Sequence, residues 1–207
     1  MPKNEISRKE REKERHRKDI LDAALVLFSE FGFHSVSMQQ VADKAEFSIG
    51  TLYNFFRNKE DLYSNLLDKL TARFHVELTG ALSEGDDEIE KLRNYIIVKA
   101  VVFRENLDIV LLYFRETSGV NFNLKAGMDD RIRIQYVELL ELLAGVFEDG
   151  IRKKRFHGIA EPYFLALTLD SLTNATLLGC LENPENRSYP QDPDVFLNVL
   201  FKGLLVS

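Results

Sequence analysis

The stretch that decides the fold prediction is SIGTLYNFFRNK, residues 48–59. If a helix begins after Ser48, then Ile49, Leu52 and Phe56 share one side of it at three- and four-residue spacing. This pattern predicts a short helix that buries one apolar stripe.

The remaining side chains of the same stretch point away from that stripe. Thr51, Tyr53 and Asn54 carry a hydroxyl, a phenol and an amide, which can donate to phosphates or read base edges. Gly50 in the first turn allows close approach of another backbone, at a conformational cost. Lys59 opposes the dipole of the next helix, so its position calls for another reason. The alternative is that these are ordinary surface residues.

A second short helix precedes this one, and both carry start signals. Ser37 and Gln40 have the spacing of a capping box, and Val36 and Val41 that of a hydrophobic staple. Only a few residues separate the two helices. The pair therefore predicts a helix-turn-helix.

Longer helices flank this pair. An apolar stripe begins at Ile20 and ends before Gly32, and Asn58 with Asp61 opens a helix through Leu70. Later segments continue the helical pattern, with a last helix capped by Asp192. The run IVLLYF is ambiguous by periodicity, but no pattern of alternating strands surrounds it. We predict an all-α fold of about nine helices.

Charge is unevenly distributed along the chain. Residues 1–60 hold 11 Lys and Arg against 10 Asp and Glu, a net charge of +1, whereas the remainder holds 16 against 23, a net charge of −7. Only the first part is suited to phosphate. Residues 3–18 are the most cationic piece, although such a mixed run is most often a solvated helix face or a frayed arm.

Other functional classes find little support in the composition. A single cysteine, Cys180, excludes an internal disulfide and a thiolate metal cage, and the four histidines show no metal-binding spacing. No apolar run is long enough to cross a bilayer, and we expect no secretory signal because the N-terminus is charged where such a signal is apolar. We therefore expect a soluble, cytoplasmic protein that is not an enzyme and has no metal, cofactor or membrane partner.

The span from Arg17 to Leu66 resembles the DNA-binding domain of TetR-family transcriptional regulators. Four motifs carry the resemblance in fixed order: ILDAALVLFSEFGF, S-x-x-x-VADKA, S-x-G-T-LY-x-x-F and F-x-NKE-x-L. The resemblance implies a homodimer that places the second helix of the helix-turn-helix in the major groove of each half of a near-palindrome.

The resemblance also implies a set of DNA contacts. By matched position, Tyr53, Lys59 and Ser37 would bind phosphate, and Thr51 would contact the backbone or a base. Phe55 departs from the family pattern, because many members have a donating His or Tyr there. The full predicted set is Ser37, Gln39, Gln40, Ser48, Gly50, Thr51, Tyr53, Asn54 and Lys59.

The resemblance further implies that the C-terminal part holds a small-molecule pocket and the dimer interface. Aromatic residues and two arginines of the middle helices could line a pocket for a hydrophobic or amphipathic effector, although most are more readily core: Phe74, Tyr95, Phe103, Arg104, Tyr113, Phe114, Arg115, Phe122 and Tyr136. An arginine in the pocket would favour a carboxylate or an acyl thioester.

By the family's plan the last two helices pair with those of a partner subunit, and their apolar residues allow this because they exceed one core-facing stripe. The alternative is that these residues only complete the monomer core. The predicted interface residues are Tyr163, Phe164, Leu167, Leu172, Ala175, Leu178, Val195, Phe196, Val199 and Leu200.

These inferences give one functional hypothesis and one rival. Residues 1–58 would form an N-terminal arm and a three-helix DNA-binding domain, and residues 59–207 a helical effector-binding and dimerisation domain. The chain would then be a repressor that a ligand releases from its operator, with activation left open. The rival is a DNA-binding helical protein without an effector, whose C-terminal domain binds a protein partner.

Overall fold

A computed structural model describes residues 7–117, 130–182 and 188–202. Within these ranges the chain forms nine α-helices and no strands, which confirms the all-α prediction. The helices are α1 (Arg8–Phe31), α2 (Met38–Lys44), α3 (Ile49–Phe55), α4 (Lys59–Ser83), α5 (Glu88–Glu105), α6 (Leu107–Thr117), α7 (Asp130–Arg152), α8 (Pro162–Glu182) and α9 (Asp194–Phe201). No helix of the described ranges is long and apolar enough to span a membrane.

The chain divides into two compact units, and the division differs from the predicted boundary at residue 58. The first unit takes the described residues among 1–70 and 107–129, and the second those among 71–106 and 130–207. Helix α4 contributes to both units, and α6 belongs to the first because it packs against α1.

In the first unit, α1 and α3 both pack against α2. The core of this unit includes Ile20, Ala24, Phe28, Val41 and Leu52, each with no exposed surface. The predicted stripe of α3 is confirmed for Leu52 and for Phe56, which is 1% exposed, whereas Ile49 is half-buried.

Helix α1 begins twelve residues before the predicted start at Ile20. Ser7 forms a full capping box, in which its hydroxyl accepts from the Glu10 backbone N–H and the Glu10 carboxylate accepts from the Ser7 N–H. The apolar stripe predicted only the buried part of α1. Residues 8–15 are exposed, so periodicity gave no signal for them.

In the second unit, α7 packs against α8 and α5, and α8 also contacts α9. Its apolar core is built from leucines and aromatic residues of α4, α5, α7, α8 and α9. This packing leaves no room for a side chain at one glycine. A Cβ atom on Gly150 would lie 2.2 Å from the ring of Phe156, which is 9% exposed and folds back against the end of α7.

Replacing Gly150 by alanine should lower the free energy of unfolding by roughly 1–3 kcal/mol, because the buried Phe156 ring must move. The matched control is Gly145→Ala on the same helix, where a Cβ atom would meet nothing within 4 Å. Alanine favours a helix over glycine, so this control should gain up to about 1 kcal/mol. Urea unfolding followed by circular dichroism measures both, and equal effects would contradict the packing argument.

Candidate functional site

Two short helices present the polar side chains predicted to meet DNA. Helix α2 starts with the predicted capping box, in which the Ser37 hydroxyl accepts from the Gln40 backbone N–H and the Gln40 side-chain Oε1 accepts from the Ser37 N–H at 2.8 Å. Helix α3 starts with the Ser48 hydroxyl accepting from the Thr51 N–H at 3.1 Å. These caps satisfy backbone donors that a seven-residue helix leaves free at its start.

The caps also engage several of the predicted contact residues. The hydroxyls of Ser48 and Thr51 lie 2.8 Å apart and share a hydrogen bond. The Gln39 amide donates to Asp43 at 2.7 Å. Ser37, Gln39, Gln40 and Ser48 remain exposed, so these bonds orient the side chains without covering them.

Three predicted contact residues form the most open part of α3. Tyr53 is 52% exposed, and Gly50 and Asn54 are exposed as well. Within the described part of the chain, neither the Tyr53 phenol nor the Asn54 amide has a hydrogen-bond partner. Phe55, where the family pattern has a donor, is half-buried beside Phe56. We call Gly50, Tyr53 and Asn54, together with the caps of α2 and α3, the reading surface.

Lys59 makes contacts within the chain that the sequence did not predict. Its ammonium donates to the backbone carbonyls of Phe33 at 2.9 Å, His34 at 3.2 Å and Val36 at 2.9 Å. It also lies 4.6 Å from the centroid of the Phe33 ring. These bonds tie α4 to the loop before α2, and the phosphate contact of Lys59 stays a prediction. This tie offsets the unfavourable position of a cation at the start of α4.

In the second unit, the structure brings together two of the nine residues predicted for an effector pocket. Tyr95 is fully buried and donates to Asp170 Oδ1 at 2.7 Å, and half-buried Tyr136 donates to Asp170 Oδ2 at 2.9 Å. Phe74 is half-buried against the core and Phe103 is buried.

Arg104 is exposed, and its Nε donates to the Ala100 carbonyl of its own helix. The side chains of Tyr113, Phe114 and Arg115, and the whole of Phe122, lie outside the described residues. A shallow surface cleft near residues 158–162 shares no residue with the predicted pocket.

The centre of this unit is a buried ion pair that the sequence analysis missed. Lys99 and Asp170 have side chains only 4% and 3% exposed and are in direct contact. The Lys99 ammonium also donates to the Thr173 hydroxyl at 2.8 Å and to the Asp170 carbonyl at 3.1 Å. The Asn174 amide donates to Asp170 Oδ2 at 2.9 Å. A lone lysine in IIVKAVV and a lone aspartate in LTLDSLT were the available signals.

Burial and pairing act in opposite directions on these groups. Burial alone would raise the pKa of Asp170, but the Lys99 charge and the surrounding donors hold this pKa below its usual value. Burial lowers the pKa of Lys99 despite the neighbouring carboxylate, and burial raises the pKa of the Tyr95 phenol. Among the described residues, no group of His, Cys, Asp and Glu could hold a metal ion.

Replacing Lys59 by methionine should destabilise the protein by about 2 kcal/mol, because charge-assisted hydrogen bonds to partly buried carbonyls are lost. Methionine keeps much of the apolar stem, so packing changes little. Lys69→Met is the control, since Lys69 is an exposed lysine on the same helix. Chemical denaturation gives both values. A loss no larger for Lys59→Met than for the control would contradict the structural tie.

Comparisons with known proteins agree with this organisation. Residues 20–66 match the family model described as bacterial regulatory proteins, tetR family. The fatty acid metabolism regulator protein of Bacillus subtilis is 24% identical over 133 residues, which cover 64% of this chain and 66% of that protein. The repressor KstR of Rhodococcus jostii is 37% identical over 82 residues, which cover 40% of this chain and 37% of that protein.

Solved structures share the fold along most of the chain. MbdR from Azoarcus sp. CIB superimposes with a TM-score of 0.73 at 19% identity, covering 92% of this chain and all of that one. FadR from B. subtilis, solved in complex with stearoyl-CoA, has a TM-score of 0.70 at 20% identity and covers 91% of this chain and 99% of that one. Residues 20–66 therefore match the tetR family of bacterial regulatory proteins, and the nine described helices share the fold of these solved structures.

Proposed function

We propose that this chain is a repressor that binds a near-palindromic operator as a homodimer and leaves it when a small effector binds. The observation that carries the proposal is the reading surface, where Tyr53 and Asn54 stand exposed beside Gly50. The stripe of α3 that includes Leu52 is buried, so these polar groups are held outward on a fixed element. A helix of this kind fits the major groove, with its phenol and amide in reach of phosphates and base edges.

Gly50 supports the proposal because the fold itself does not require a glycine there. Its φ is not positive, and a Cβ atom would meet only the Ser48 hydroxyl oxygen, at an ordinary distance of 3.9 Å. Alanine in a helix would be more stable than glycine by up to about 1 kcal/mol. A glycine that costs stability and faces outward suits a position where a DNA backbone approaches closely.

Operator binding is tested by selecting bound fragments from the source genome and measuring affinity for the enriched site. Tyr53→Phe should weaken binding about five- to tenfold, as expected when one hydrogen bond of about 1 kcal/mol is lost. Gly50→Ala should weaken binding while raising the free energy of unfolding. Weaker binding by a more stable protein reflects a lost DNA contact and not a folding defect. A shuffled duplex of equal length is the control for non-specific affinity. Failure to enrich any site, or variants that bind like the wild type, would contradict the proposal.

For the effector, we infer a long-chain acyl thioester or a related amphipathic carboxylate. The support is the named role of the B. subtilis relative in fatty acid metabolism and the stearoyl-CoA complex of a protein with the same fold. In the same binding experiment, stearoyl-CoA should release the wild-type protein from the operator and free CoA should not. The ligand can do so only by binding the released state more tightly than the bound one.

The effector measurement also distinguishes the proposed function from the rival function. If a range of acyl thioesters, fatty acids and neutral aromatic compounds leaves the complex intact, a regulator without a small-molecule effector becomes the better account. In that case the C-terminal part would serve a protein partner.

Dimerisation through α8 and α9 is supported by apolar side chains left exposed on both helices. Phe164 is 60% exposed, Tyr163 39% and Leu167 38%, and on α9 Val195 and Val199 are each 46% exposed. Exposed apolar clusters of this kind mark interaction surfaces. Ala175 is exposed too, and Leu172, Leu178 and Leu200 are half-buried.

Phe196 is the exception among the predicted dimer residues. It is 3% exposed and belongs to the core of the second unit, so it is not available to a partner.

Phe164→Asp should convert the dimer to monomers at concentrations where the wild type is dimeric, because a carboxylate would be buried at the interface without a partner. Val76→Asp is the matched control, since Val76 on α4 is 67% exposed but lies outside the proposed surface. Sedimentation velocity distinguishes the species. A monomeric wild type, or equal dissociation of both variants, would contradict this interface.

A further inference from the structure

Helix α1 starts well before the domain that defines the family. The family model begins at residue 20, whereas α1 begins at Arg8 and is fixed there by the capping box of Ser7 and Glu10. We call residues 8–19 the N-terminal extension. It adds twelve helical residues, about 18 Å, to a DNA-binding domain that already has its core.

The extension carries cations that the described protein does not neutralise. It contains seven Lys and Arg and four Asp and Glu. Arg8, Lys9, Arg11, Lys13 and Arg15 are all exposed, and within the described residues none of the five forms an ion pair. Lys18, by contrast, is paired with Asp22 four residues on. Unpaired surface cations of this kind can displace counterions from DNA phosphates.

One contact fixes where the extension lies relative to the reading surface. The His16 ring stands 4.9 Å from the ring of Phe47, the residue immediately before the Ser48 cap of α3. One and two turns earlier, the same face of α1 carries Lys13 and Lys9. Lys9 is seven residues from His16, about 10 Å along the helix. This face therefore continues outward from the start of α3.

We propose that the N-terminal extension binds phosphates of the DNA that flanks each half of the operator, through Lys9 and Lys13. Glu12 lies on the same face and repels phosphate, so the contact is made by the ends of the long lysine side chains. Such a contact adds affinity and salt dependence but reads no bases. The inference rests on the proposed operator binding.

The test compares two duplexes that carry the selected operator. One ends at the outer edges of the half-sites, and the other continues for ten base pairs on each side. Lys9→Gln/Lys13→Gln removes two cations from the face shared with His16. Arg11→Gln/Arg15→Gln removes two cations from the opposite side of the same helix and is the matched control. Glutamine resembles Lys and Arg in helix propensity, so the helix is retained in both.

The wild type should bind the long duplex more tightly than the short one. Lys9→Gln/Lys13→Gln should lose this advantage, by roughly fivefold for each phosphate contact at 0.15 M salt, and its salt slope should fall by about 0.9 per contact. The control should keep most of the advantage.

Two results would overturn the proposal: equal wild-type affinity for both duplexes, or equal losses in the two double variants. If the wild type binds neither duplex above a shuffled one, the operator proposal itself fails. The short duplex therefore distinguishes the two failures, because its affinity depends on the reading surface alone.

Discussion

The first unit depends on two helices that are too short to be stable on their own. Helices α2 and α3 have seven residues each, far below the roughly 12 to 15 at which an isolated helix becomes marginally stable in water. They persist because serine caps satisfy their first N–H groups and because Val41 and Leu52 are fully buried. The same serines that cap the helices also stand at the exposed edge of the reading surface. Stability and presentation of polar groups therefore come from the same few side chains.

The second unit buries a charged pair among leucines and aromatic rings. Removing ions from water costs several kcal/mol each, and the attraction between them offsets this only when the remaining donors and acceptors are satisfied. Here Lys99 and Asp170 meet that condition, because Tyr95, Tyr136, Thr173 and Asn174 complete their hydrogen bonds. A polar cluster with so many fixed partners favours one arrangement of α5, α7 and α8 over looser apolar packings.

Much of the first unit could be predicted from sequence because its signals are local. The Ser37 capping box, the Ser48 cap and the apolar stripe of α3 each lie within a few residues, and the structure confirms them. The Ser7 cap of α1 was missed because the first two turns of that helix are exposed and carry no apolar stripe. The bonding of Lys59 could not be predicted, because its acceptors lie 23 to 26 residues earlier and are backbone carbonyls that no side-chain pattern reports. The Lys99 and Asp170 pair could not be predicted either, because its members lie 71 residues apart in the sequence. The aromatic residues of the middle helices led to the prediction of Tyr95 and Tyr136 as pocket residues, but not to the Asp170 carboxylate that both contact.

The Lys59 tie bears on how the DNA-binding unit moves. A lysine reaches its acceptors through a flexible four-carbon stem, and three carbonyls offer overlapping choices to one ammonium. Such a contact tolerates a range of geometries. The first turn of α4 can then shift slightly relative to the loop before α2, because the ammonium can exchange its hydrogen bonds among these carbonyls. The Lys59 tie therefore joins α4 to the loop before α2 without setting one fixed distance between them.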